Sequence, residues 1–215
     1  MPDSQATLSF LEARILGVLI EKERTTPDAY PLTLNSLSAG CNQKSARDPV
    51  ISATDSEVQS ALEALRSRVL VLETYGASGR VLRYAQNFGK VFGVPAASVA
   101  LLATLMLRGA QTVSELRANS ERLYRFDDAS SVEAYLEELA ARSGGALTTR
   151  LSRQPGSREH RWAHLLCGTA ALPREASAGE TITENAALAE RVACLELEVA
   201  ELRAAIKALA GEPGQ

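Results

Sequence analysis

The chain runs through one order of elements twice, and that order limits the folds open to it. Its start signals are capping boxes, in which a Ser or Thr and a Glu three residues later satisfy each other's orphan backbone N–H groups at a helix entrance. They occur at Ser9/Glu12, Thr54/Glu57, Thr112/Glu115, Ser130/Glu133 and Thr181/Glu184. From Ser9 to Glu23 the apolar positions Leu11, Ile15, Val18 and Leu19 share one helical face. "TTPDAYP" ends that helix, because Pro27 and Pro31 cannot continue it. A short helix over 32–41 follows, then the polar stretch "CNQKSARDPV", then a helix from Thr54 with Val58, Leu62 and Leu65 inward. "VLVLETY" and "RVLRYAQ" alternate as strands around the turn "GASG". The plan returns as "AASVALLATLMLRGA", "TVSELRANSERLY" and "SVEAYLEELAAR", all helical, and a hairpin "ALTTRLSRQPGSREHRWAHLL" turning at Pro155-Gly156-Ser157. Three helices and a two-stranded hairpin describe a winged helix, a variant of the helix-turn-helix. The expected fold is therefore α+β and mostly α: winged-helix domains over 1–90 and 91–170. A generic α+β domain does not require the repetition.

The tail follows another rule. "ALPREASAGE" is a small-residue linker over 171–180. Over 181–210 the apolar positions Leu188, Val192, Leu195, Val199, Leu202, Ile206 and Leu209 alternate spacings of four and three, a heptad seam. Val192, Val199 and Ile206 take a positions, the leucines d positions, and Asn185 the preceding a position, where a buried Asn fixes register. β-Branched a with Leu d favours two parallel strands, and Arg191 and Glu198 at g face Glu196 and Arg203 at e. The expectation is a homodimer through a C-terminal coiled coil roughly 35 Å long. The alternative is an amphipathic helix that folds back on its own domain.

Charge narrows the partners. Residues 1–90 carry ten basic and ten acidic side chains, residues 91–170 nine and eight, and residues 171–215 four and eight. The net charge of −3 thus comes from the acidic tail, over a nearly neutral body. That body lacks the strongly basic footprint of a tight nucleic-acid binder. No apolar run reaches the roughly 18 residues of a membrane span, and "MPDSQATLSF" has no basic-then-apolar leader pattern. Three scattered cysteines, Cys41, Cys167 and Cys194, fit reduced thiols and a cytoplasmic protein better than a disulfide framework.

The motifs give no catalytic constellation. There is no GxxxxGK, GxGxxG or HExxH segment. The two histidines, His160 and His164, stand four apart on an expected strand, about 13 Å along the backbone. His164 and Cys167 are two donors, not a metal site. Asp127-Asp128 and Glu137-Glu138 are sequence neighbours that do not converge as acid and base. The expectation is a protein without catalytic residues, metal or cofactor.

For double-stranded DNA as partner, two groups of side chains are candidates. Asn42 and Gln43 suit adenine edges, and Lys44 and Arg47 suit guanine or phosphate, in the turn before the third helix. The structural alternative has Asn42 capping the second helix and Arg47 pairing with Asp48 or a neighbour. Arg150, Arg153, Arg158 and Arg161 stand in the second hairpin against Glu159 alone, and Arg117, Arg122 and Arg125 add charge nearby. The third helix of the second unit offers Glu133, Glu137 and Glu138, which phosphates repel. A protein-interaction scaffold is the competing reading, of the kind seen in chromosome-segregation accessory proteins with tandem winged helices.

"LEARILGVLIEKERTTPDAYPLTLNSLSAGCNQKSARDPV", "LMLRGAQTVSELR" and "RQPGSREHRWAHLL" resemble the YceH family of uncharacterised bacterial proteins over residues 8–166. The family's marked segments match Thr25-Thr26-Pro27, Tyr30-Pro31-Leu32, Cys41 to Lys44, Arg47, Pro49, Arg108-Gly109-Ala110-Gln111, Pro155-Gly156 and His164. The resemblance implies tandem winged helices in a soluble, cytoplasmic bacterial protein. It brings no activity, cofactor or catalytic residue, and the dimer expectation rests on the heptads alone.

Overall fold

Two helices buried on nearly every side over most of their length set the architecture. The computed structural model describes residues 7–75, 79, 81–153, 159–169 and 199. Helix α1 (Phe10–Thr25) is buried continuously from Glu12 to Ile20, and α5 (Ala96–Arg108) almost continuously from Ala97 to Leu107. A helix without a polar stripe must be covered all round. These two cover each other: a Cβ on Gly17 of α1 would lie 2.9 Å from Leu107 of α5.

Around α1 stand α2 (Leu34–Cys41), α3 (Asp55–Ser67) and the antiparallel pair β1 (Val71–Tyr75) and β2 (Leu82–Gln86). A short 3-10 turn, Pro27–Ala29, joins α1 to this group. Around α5 stand α6 (Val113–Ser120), α7 (Ala129–Ala140), β4 (Thr148–Arg150) and β5 (Arg161–His164). A two-residue strand, β3 (Gln111–Thr112), pairs with β5 and gives the sheet order β3-β5-β4. In the first repeat Leu32 makes the equivalent bridge to Tyr84 on β2. Each bridging residue is followed by the Thr that caps the next helix, Thr33 or Thr112. The repeats thus agree in backbone connectivity, and a short helix, α4 (Phe88–Phe92), links them.

α5 divides its surface between two cores. Leu102, Ala103, Met106 and Leu107 join the apolar cluster built on α1, with Leu37, Val58, Leu62 and Phe88. Ala97, Leu101 and Leu105, a stripe at four-residue spacing, join Leu116, Phe126, Val132, Leu136 and Trp162. The chain divides after Pro173: residues up to it form one compact unit and those from Arg174 another. Of the second, Val199 is described; it is helical and 44% exposed. Asn185, Leu188, Val192, Leu195, Leu202, Ile206 and Leu209, with the Thr181/Glu184 box, lie outside the described residues.

Three capping boxes form with both halves in place, at Ser9, Thr54 and Thr112. The box expected at Ser130/Glu133 does not. Asp128 takes the cap instead, accepting from Ser131 N at 2.7 Å, so α7 starts earlier. An ionised carboxylate is the stronger acceptor for a backbone N–H. Helix α6 ends four residues before the expected Tyr124, where Ser120 Oγ turns back to Leu116 O at 2.6 Å.

Candidate nucleic-acid interface

The stretch after α2 is bonded down from inside. Asn42 ends α2, and its side chain spans the loop: Nδ2 donates to Ala53 O and Oδ1 accepts from Ala53 N, each at 2.8 Å. Both functions that could read an adenine edge are spent there. Arg47 points inward, its side chain fully buried, and closes a bidentate pair on Glu21 at 3.1 and 2.6 Å. Its Nε donates to Gly40 O at 3.1 Å. Gln43 Nε2 donates to Ser45 Oγ at 3.1 Å, while its Oε1 accepts from Arg47 at 3.4 Å. Asp48 N donates to Leu107 O at 2.8 Å and ties the loop to α5. Lys44 alone of the four remains an exposed side chain without a partner among the described residues.

Beneath the loop lies a second guanidinium, which the sequence reading did not single out. Arg14, fully buried on α1, donates to Pro49 O at 2.7 Å and Cys41 O at 3.4 Å. Its carbon sits 5.3 Å from the centre of the Phe10 ring. Its Nε has no partner among the described residues. Burial, then the neighbouring Arg47, lowers its pKa from the ordinary arginine value. The same burial pushes the Cys41 thiol up to about 12, leaving it a neutral packing group. Position i+3 from Leu11 on an otherwise apolar face was the available signal for Arg14.

The second hairpin is more open. Arg150, at the end of β4, and Arg153 are exposed, with no partner among the described residues. Arg161 is turned back and donates to Ala110 O, fastening β5 to the start of β3. Arg158 lies outside the described residues. Ser114 Oγ donates to Glu159 Oε1 at 3.4 Å, setting the hairpin base beside α6. Arg117 donates to Asp127 O at 2.8 Å, whereas Arg122 and Arg125 are exposed. His164 is largely buried, its Nδ1 unpartnered among the described residues, and burial lowers its pKa to about 4. It is therefore neutral at pH 7.

The third helices of the two repeats expose mainly carboxylates among their charged groups. α3 exposes Asp55, Glu57 and Glu63, and its one exposed cation, Arg66, is paired with Glu73 at 2.9 Å. α7 exposes Glu133, Glu137 and Glu138. The described residues hold no group of three or more His, Cys, Asp or Glu able to grip a metal ion. No described helix is long and apolar enough to cross a membrane.

Residues 8–157 match the family model described as "Protein of unknown function, DUF480". A UPF0502 protein of Acidovorax sp. (strain JS42) is 58% identical over 210 residues, covering 94% of this chain and 92% of its own. One from Dechloromonas aromatica (strain RCB) is 54% identical, with 95% and 96% covered, and one from Leptothrix cholodnii 53%, with 96% of each. The long segments that resemble YceH lie within or just beyond the matched region, and the chain is a member of this DUF480/UPF0502 family of bacterial proteins.

Proposed function

We propose that this protein is a non-catalytic, tandem winged-helix scaffold that docks other proteins through the acidic outer faces of its third helices. The repeated order of helix, bridging strand, two helices and hairpin, with the last strand in the middle, supports the winged-helix reading. One observation carries the choice of partner. Asn42, Arg47 and Arg161, the side chains best suited to reading or gripping DNA, are spent on the fold, and α3 and α7 present carboxylates in their place. Carboxylates repel phosphates and attract a basic protein surface. The heptads of 181–210 supply dimerisation in this reading, and the protein works in the cytoplasm.

A second reading is DNA contact through phosphates alone. Lys44, Arg122, Arg125, Arg150 and Arg153, all exposed and without partners among the described residues, favour it. Polarisation of a labelled random-sequence duplex at about 50 mM salt separates the two, since electrostatic contacts are strongest there. The scaffold reading expects Kd weaker than about 10 µM. A tighter Kd that weakens with a log–log salt slope of about −3 or steeper replaces it with the DNA reading.

A further inference from the structure

A half-open cleft of about 410 Å³ lies where the end of α1, the β2–α4 junction and the start of α5 meet. That volume is in the range of small-molecule sites, roughly 300–1,000 Å³. Leu72, Val94, Val99 and Leu123 give it an apolar wall, and Leu72 is 43% exposed although it points into no core.

The polar lining separates into spent and unspent groups. Glu23 Oε2 accepts from Gln86 Nε2 at 2.8 Å, and Gln86 Oε1 accepts from Phe88 N at 2.8 Å. Asn87 Nδ2 donates to Val69 O at 3.0 Å. Arg24 and Lys90 are left. Both line the cleft, both are exposed, and neither has a hydrogen bond or ion pair among the described residues. They come from different elements, the last turn of α1 and the middle of α4. The free capacity of the cleft is therefore cationic, beside a wall that water solvates poorly.

We propose that this cleft binds a small organic carboxylate with an apolar body, its headgroup between Arg24 and Lys90 and its body along Leu72, Val94, Val99 and Leu123. A neutral ligand of the same shape covers two cations without pairing them, and an organic cation is repelled. With Glu23 in the lining, the three charged groups sum to one positive charge, which suits a monoanion better than a polyphosphate. A purely polar anion makes no use of the wall. The ligand touches α1 and α5, so it stabilises the packing of one repeat on the other. The proposal stands independently of the protein partner.

The test is calorimetric titration of the full chain with octanoate, octanol and octylammonium. Octanoate binds at one saturable site, and the other two bind at least about tenfold more weakly. In Arg24→Ala/Lys90→Ala octanoate weakens by at least about tenfold, with the melting temperature of the ligand-free protein little changed, because both side chains are exposed. Ala96→Trp, at an exposed position on the cleft rim, blocks octanoate. No saturable octanoate binding up to about 5 mM overturns the proposal. So does equal binding of the three probes, or octanoate binding undiminished in both variants.

Discussion

At the scale of single residues, two side chains of the same charge do opposite work according to where that charge ends. Arg47 and Lys44 stand three apart, one fully buried on Glu21 and one in solvent. Removing one partner of a buried pair costs about 3–5 kcal/mol. Glu21 remains 17% exposed with Lys22 3.6 Å away, so the lower end applies. Arg47→Met therefore destabilises by about 3 kcal/mol and Lys44→Ala by less than about 0.5 kcal/mol, read from urea midpoints. Equal effects would show the loop is not anchored through Arg47. His164 adds a pH signature. Its folded pKa, about 4, lies below the ordinary 6.5, so the unfolded chain binds the proton first. Stability due to this group is complete above the ordinary value and is lost as pH falls through the window between the two, by about 1.4 kcal/mol per pH unit. His164→Asn removes that slope; a wild-type and variant difference flat between pH 6.5 and 4 contradicts the burial described here.

At the scale of elements, what could be read in the sequence was local and what could not was long-range. Ser9, Thr54 and Thr112 announce their helices because a cap needs partners only three residues away. The first and fifth helices are announced as helices, but the one-face pattern Leu11, Ile15, Val18 and Leu19 does not disclose that α1 is buried continuously from Glu12 to Ile20, since what covers its other side is α5, distant in sequence. β3 was invisible, since two residues cannot display an alternation and Gln111–Thr112 is a strand only through its pairing with β5. The bridge from Leu32 to Tyr84 is hidden for the same reason. The bonds of the candidate loop were hidden for a further reason. Asn42, Gln43, Lys44 and Arg47 are the right residue types for DNA, but Arg47's partner stands 26 residues back on α1 and Asn42's 11 residues ahead. Residue type specifies what a side chain can bond, and the fold chooses which bond it makes. The C-terminal heptads remain a sequence-level proposal with its own test. Val199→Asp puts a charge on the seam and converts a dimer to a monomer by light scattering; a monomeric wild type removes the coiled coil.

At the scale of the whole molecule, one core helix from each repeat joins the repeats, and the third helices keep an exposed face. α1 from Glu12 to Ile20 and α5 from Ala97 to Leu107 are taken up by packing, as are Asn42 and Arg47 of the candidate loop and Arg161 of the second hairpin. What reaches solvent in quantity on α3 and α7 is carboxylate. The proposed meeting of these carboxylates with a basic protein surface is open to zero-length carbodiimide crosslinking, which joins carboxylates to amines in contact. The tagged full chain, crosslinked in its bacterial host and treated with nuclease, is expected to yield peptides joining Glu57, Glu63, Glu133, Glu137 or Glu138 to lysines of one recurrent second polypeptide, lost when α3 and α7 carry Gln at those positions. Crosslinked peptides that avoid both helices, or a pattern unchanged by the Gln substitutions, would contradict it.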